Sequence, residues 1–249
     1  MPVDLVREEP LSIRVAGKPY AVIMRTPGDE IAHAAGFCLS EGLVDTPSDF
    51  GSLAFCDGSD TNVVAVTLTS SRRQIVAGHL DRRGYISQTS CGICGKTVVD
   101  ELSQQLTPPL PRPAPDFGET VGALLSLFSL QTLRDKTRAT HGAALYSSGL
   151  ELLAVAEDVG RHNALDKAIG RLFLDNLLDR ASVLLLSSRI SYELVQKSAR
   201  AGIGHIFSIS RPTSLALELS RSLNITIGCL SPGDGLYIFD QQDCTYKAG

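Results

Sequence analysis

The run 87-SQTSCGICGKTVVDEL-102 sets Cys91 and Cys94 three positions apart between Gly92 and Gly95. Thiols so spaced could help hold zinc, cycle a disulfide or carry a reactive sulfur atom. A structural zinc site wants four ligands, commonly from a second CxxC or an HxxxH. Here Cys38, Cys56, Cys229 and Cys244 are scattered and no two histidines are close together, so no metal site is expected. A disulfide-cycling pair would follow a strand and open a helix, an arrangement this stretch resembles. The intervening residues are Gly and Ile, however, and the chain has no tryptophan to flank them. For a carrier, residues 97–102 read as a helix, so both thiols stand at its positive end with Lys96 adjacent, which favours thiolate. The glycines leave the sulfur open, and the polar residues 84–90 read as a mobile loop able to swing between donor and acceptor. Spacing alone leaves the alternatives standing.

A second group of candidates lies on turns in the later half. VGRHN, SSRIS, SRPTS and CLSPGDG each follow an apolar run and most precede an amphipathic one. Arg161 and His162 open one helix, Ser188 and Arg189 another, and Arg211, Thr213 and Ser214 a third. Helix starts with cations and hydroxyls suit an anion such as phosphate. The plainer reading is that Ser and Thr cap helices and the arginines face water. No GxxxxGK[ST] or GxGxxG is present, which speaks against a P-loop or a dinucleotide fingerprint. Asp158 and His162, four apart around a glycine, could be an acid/base pair or a structural hydrogen bond.

The elements that must position these residues change in grain along the chain. LSIRVAGKPYAVIM reads as two short strands joined by a Gly-Lys-Pro turn, with alternating apolar positions Ile13, Val15 and then Val22, Met24. EIAHAAGFCLSEGL reads as a helix capped by Thr26 or Asp29 and stopped at Gly42. NVVAVTLT reads as a further strand. Five prolines in PPLPRPAPDF mark residues 108–117 as a linker, giving a smaller α+β unit over 1–107 that carries the CxxC loop and an α/β unit over 118–249. After the linker come a helix (LLSLFSLQTLRDK) and a hairpin about Ser147-Ser148-Gly149. A helix with Leu165, Ile169, Leu172, Phe173 and Leu177 follows, then short apolar strands alternating with helices. That grammar predicts a mostly parallel sheet covered on both faces, with the strand-to-helix turns along one edge.

With 43 % apolar and 20 % charged residues the 249-residue chain is an ordinary globular protein, and its net charge of −4 gives no global field for nucleic acid or anionic lipid. No apolar run spans a membrane, and MPVDLVREEP is not a signal peptide, so a cytoplasmic protein with free thiols is expected.

Several of these stretches, in order, resemble the formate dehydrogenase accessory sulfurtransferases of the FdhD family: PLSIRVAGKPYAVIMRTPGDE, AAGFCLSEGL, TSCGICGK, THGAALYSSG, EDVGRHNALDKAIG, LLLSSRISYELVQKSARAGI and RPTSLALELS. The resemblance implies a sulfur carrier that takes persulfide sulfur from a cysteine desulfurase onto Cys91, beside Cys94. It then passes the sulfur to the molybdenum of the bis(molybdopterin guanine dinucleotide) cofactor, bound as substrate, before insertion into formate dehydrogenase. It further implies a cytidine deaminase-like three-layer C-terminal domain, a homodimer, and recognition of GDP-like guanine nucleotide moieties by the turn of Cys229, Leu230, Ser231, Pro232, Gly233 and Asp234. Many relatives carry an aromatic residue and an arginine in that turn, where this chain has Cys229 and Ser231. Anion recognition is therefore expected of Arg161, His162, Arg189 and Arg211 as well. Deamination is not expected, since His141 is followed by Gly-Ala instead of reaching a glutamate, and no proline precedes Cys91. The rivals are a cofactor chaperone without sulfur transfer and a thiol–disulfide oxidoreductase.

Overall fold

The computed structural model describes residues 3–57, 60–82, 106–231 and 235–239. LSIRVAGKPYAVIM forms two antiparallel strands, β1 (Glu9–Val15) and β2 (Lys18–Arg25). Their turn is Ala16-Gly17, with φ of 50° and 80° as a tight primed hairpin turn demands, so Lys18 and Pro19 belong to β2. An irregularity next to Ile13 lets β2 slip by one residue, pairing Ile13 with Ala21 and Leu11 with Ile23. That slip reverses the expected face of β2. Val22 and Met24 are exposed, and Ala21 and Arg25 turn inward.

Strands β3 (Phe50–Asp57) and β4 (Asp60–Leu68) complete a first sheet of order β2-β1-β4-β3, with β1 and β4 parallel. Helix α1 (Glu30–Ser40) packs on this sheet. Of the two caps expected for α1, Asp29 stands at the N-cap position, but its side chain makes no capping hydrogen bond. The Asp29 carboxylate is engaged by Arg171 at 2.6 Å, and the Thr26 hydroxyl accepts from the Val159 N–H. Its end is as expected: Gly42 takes φ 74°, with Leu43 N–H donating to the Cys38 carbonyl at 2.8 Å and Gly42 N–H to that of Leu39 at 3.0 Å. Two short helices follow, α2 (Ser70–Ile75) and α3 (Ala77–Arg82).

Residues 106–116 form no helix or strand, and Asp116 caps α4 (Phe117–Ser126) by accepting from Glu119 N–H at 2.9 Å. The single helix expected here is broken: a 3-10 turn at Leu127–Leu130 separates α4 from α5 (Thr132–Thr137). The chain continues through β5 (His141–Tyr146), β6 (Leu152–Asp158), α6 (Arg161–Leu174), β7 (Val183–Leu186), α7 (Tyr192–Arg200), β8 (His205–Ser208), α8 (Ser214–Ser222), β9 (Thr226–Ser231) and β10 (Gly235–Ile238). Leu177 lies beyond the end of α6 and is exposed.

The second sheet has the order β10-β9-β8-β7-β5-β6. It is mixed where a mostly parallel sheet was expected: β7, β8 and β9 are parallel, and β5 and β10 run against their neighbours. The reason is loop length, because β5–β6 and β9–β10 are joined by turns too short for a crossover. Alternate side chains feed two cores. Ala143, Leu145, Leu184 and Ile206 face α6, α7 and α8, whereas Ala144, Tyr146, Leu185 and Phe207 face Leu124 and Leu127 of the α4 side. The first core also takes Leu11, Ile13, Val64 and Val66 of the first sheet, so α1 and α6 form a shared middle layer.

That layer depends on two glycines. A Cβ on Gly36 would sit 1.9 Å from the Asp166 carbonyl oxygen, and one on Gly170 would sit 1.8 Å from that of Ala32. Only bare backbone allows this approach. Beside it, Asp166 accepts from Ser40 at 2.8 Å and from Lys197 at 2.7 and 2.9 Å, tying α1, α6 and α7 together.

Candidate functional site at the strand edge

The carboxyl ends of β6, β7, β8 and β9 and the start of β5 share one edge, because β5 runs antiparallel to both β6 and β7. Asp158 anchors the first turn there. Its Oδ1 accepts from Gly160 N–H at 2.9 Å and Asn163 Nδ2 at 2.8 Å, and its Oδ2 from Thr26 N–H at 3.0 Å and Lys167 Nζ at 2.7 Å. Lys167 also donates to the Thr26 carbonyl at 2.7 Å and Asn163 to that of Met24 at 2.8 Å. Gly160 is needed because a Cβ would meet Asn163 at 2.7 Å. Asp158 is therefore a buried clasp between the two sheets and is not paired with His162. The Nε2 of His162 instead meets Glu193 at 2.7 Å and the Ser191 hydroxyl at 3.1 Å, and this bond holds the Glu193 carboxyl below its ordinary pKa.

The neighbouring turns interlock. Ser187 Oγ accepts from Gly142 N–H at 2.8 Å, Ser208 Oγ donates to the Ser188 carbonyl, and Thr213 N–H donates to the Ile190 carbonyl at 3.0 Å. Thr213 caps α8, as the plainer reading of the turns had it, by accepting from Ala216 N–H at 3.3 Å.

The four expected cations fall into two groups. Arg161, His162 and Arg189 gather near His141, whose imidazole is held below its ordinary pKa first by burial and then by Arg161, Arg134, His162 and Arg189. Arg211 acts instead on Cys229 of β9, three strands along the sheet from His141 on β5, where burial raises the thiol pKa and the arginine opposes the rise. Cys229 is 3 % exposed, so it is a packed thiol with little thiolate character. Leu230 packs with the second core, Ser231 ends β9 half-buried, and Pro232, Gly233 and Asp234 lie outside the described residues. So do Cys91, Cys94, Lys96, the loop 84–90 and Cys244. Among the described residues Cys38 and Cys229 are buried and free and Cys56 is exposed and free, and no cluster of metal-ligating side chains occurs. Sequence reasoning missed Arg134, Lys167, Ser191 and Glu193, and weighed His141 only as a deaminase residue. They come together only through strand order, which no local pattern carries.

Comparison with known proteins places this architecture. Residues 6–245 match the sequence profile of the FdhD/NarQ family. The chain belongs to that family. It is 39 % identical over 97 % of its length to a "Sulfur carrier protein FdhD" of Streptomyces coelicolor, covering 89 % of that protein. It is 39 % identical to the same-named protein of Mycolicibacterium paratuberculosis, with 97 % of this chain and 92 % of that one covered. A crystal structure assigned as a formate dehydrogenase accessory protein of Desulfotalea psychrophila shares the fold, at TM-score 0.75 and 22 % identity over 98 % of this chain and 91 % of the other. The EDVGRHNALDK run that most resembles the FdhD family is thus largely structural, supplying Asp158, Asn163 and Lys167 to the clasp, with only Arg161 and His162 turned to the edge. Among the described residues no helix is long and apolar enough to cross a membrane.

Proposed function

We propose that this member of the FdhD/NarQ family is a sulfur carrier serving formate dehydrogenase, with Cys91 as the sulfur-bearing residue. The observation that carries the reading is identity of 39 % along nearly the whole chain to proteins named sulfur carriers, with the CGICGK run intact. The Cys91 thiolate attacks the outer sulfur of a cysteine desulfurase persulfide. The donor's S–S bond breaks, its cysteine leaves as thiolate, and Cys91–S–SH forms with no net redox change. Release of that sulfur as sulfide needs two electrons. Cys94 supplies them by attacking the inner sulfur of Cys91, closing a disulfide that a cellular dithiol later reopens.

The acceptor is the molybdenum of the bis(molybdopterin guanine dinucleotide) cofactor, bound as substrate before its insertion into formate dehydrogenase. Its GDP-like ends dock along the strand edge, at Arg161, His162 and Arg189 on one side and at Arg211 and the turn 229–234 on the other. The local excess of guanidinium groups in a chain of net charge −4 supports this placement. Residues 118–249 form a cytidine deaminase-like three-layer domain joined by the 108–117 linker to the unit over 1–107, and the protein works as a cytoplasmic homodimer. Cys91→Ala tests the reading. It should abolish formate dehydrogenase maturation in cells while retaining guanosine diphosphate binding; full maturation with the variant would instead identify a cofactor chaperone. Cys94→Ala should still load sulfur and fail to deliver it.

A further inference from the structure

His141 opens β5 where the strand order turns back between β7 and β6, and it pairs in register with Asp158. Arg134 reaches the same place from α5. The start of α5 is pinned by the Glu157 carboxylate, which accepts from Leu133 N–H, Arg134 N–H and the Thr140 hydroxyl at 2.8 Å each. The guanidinium of Arg134 lies over the Phe128 ring, 4.2 Å from its centre, which holds the group without neutralising it. Among the described residues Arg134, Arg161 and Arg189 form no ion pair, and the buried Nε of Arg161 has no hydrogen-bond partner. The nearby carboxylates are already engaged: Glu157 with the α5 start, Asp158 with Lys167, and Glu193 with His162.

We propose that Arg134 and His141 complete, with Arg161, His162 and Arg189, a subsite for a doubly charged phosphate group, and that His141 takes up a proton when the phosphate binds. Guanidinium forks offer more N–H donors than one carboxylate can accept, and they match phosphate oxygens two at a time. In the free protein His141 is neutral because burial and the surrounding cations disfavour its charge. A dianion placed among those cations reverses the local field, so the imidazolium becomes favourable. Proton uptake on binding means, by linkage, that affinity rises as pH falls through the histidine range. The subsite rests on the reading that the cargo is an anionic nucleotide cofactor.

The test is calorimetric titration of the full chain with inorganic sulfate, a dianion of constant charge, and with guanosine diphosphate, from about pH 8 to about pH 6. Sulfate affinity should strengthen as pH falls, with proton uptake measured in buffers of different ionisation enthalpy. Arg134→Gln should weaken sulfate about ten- to hundred-fold, as loss of one charge-assisted hydrogen bond does. Arg134→Lys should recover part of the loss. His141→Gln should remove the pH slope whatever its absolute affinity. A flat wild-type profile, a slope that survives His141→Gln, or wild-type affinity in Arg134→Gln overturns the proposal. If His141→Gln does not fold, absence of proton uptake by the wild type overturns it alone. Sulfur loading is measured separately, so a chain that loads sulfur but binds no dianion loses only the subsite. One that binds dianions as described but never loads sulfur loses the carrier reading.

Discussion

Lys167 shows how a residue in the run most suggestive of chemistry can be spent on architecture. It is 2 % exposed and shares Asp158 with Asn163, Gly160 and Thr26, so each oxygen of that buried carboxylate is satisfied by two donors. Removing one partner of such a pair strands the other charge, and Lys167→Met should cost about 3–5 kcal/mol in denaturant unfolding. His33 is a different case. It is fully buried on α1, and burial, then Lys167, Lys197 and Arg25, hold its pKa well below the ordinary value, against a weaker opposing contribution from Asn163. A histidine whose folded pKa is depressed stabilises fully above the unfolded value of about 6.5 and loses that contribution as pH falls below it. His141 and His205 shift the same way, so stability should decline with acidification from about pH 6.5. Replacing His33 by Leu should flatten that decline, as followed by thermal unfolding across the pH range. An unchanged slope would take His33 out of the account.

At the scale of elements the α1–α6 contact sets the geometry. The methyl group of Gly36→Ala or Gly170→Ala would enter a backbone carbonyl, so helix separation must grow and each variant should lose about 1–3 kcal/mol or more. Each element here was legible in the sequence to the extent that its signal was local. Gly42 ended its helix where the apolar period stopped, and Ser147-Ser148-Gly149 turned the hairpin. The phase of β2 was not legible, because one slipped residue inverts a period of two. Asp29 caps α1 by position only, because its carboxylate and the Thr26 hydroxyl are drawn into bonds with the later half, over 130 residues away. The edge site was half legible: Arg161 and His162 open α6 as read, whereas Ser188 and Arg189 do not open α7, which starts at Tyr192 behind its cap Ser191. Arg134 and His141 reach them only because a hairpin sets β5 between β6 and β7.

Over the whole molecule, two sheets share the α1–α6 layer, and the clasp on Asp158 crosses from one to the other directly behind the cationic edge. A cavity of about 580 Å³, lined by Phe55, Leu153, Leu174 and the Asp29–Arg171 ion pair, opens at the far end of α6 and lies away from that edge. The clasp thus ties the edge to the first sheet, and in the proposed function that edge docks the anionic cofactor while the sulfur chemistry falls to Cys91. Intact mass spectrometry after incubation with a cysteine desulfurase and cysteine tests that claim most directly. The wild type should gain the mass of one sulfur atom, lose it on reduction, and Cys91→Ala should gain none. A folded, reduced wild type that gains nothing, or a variant that gains as much, would contradict the account.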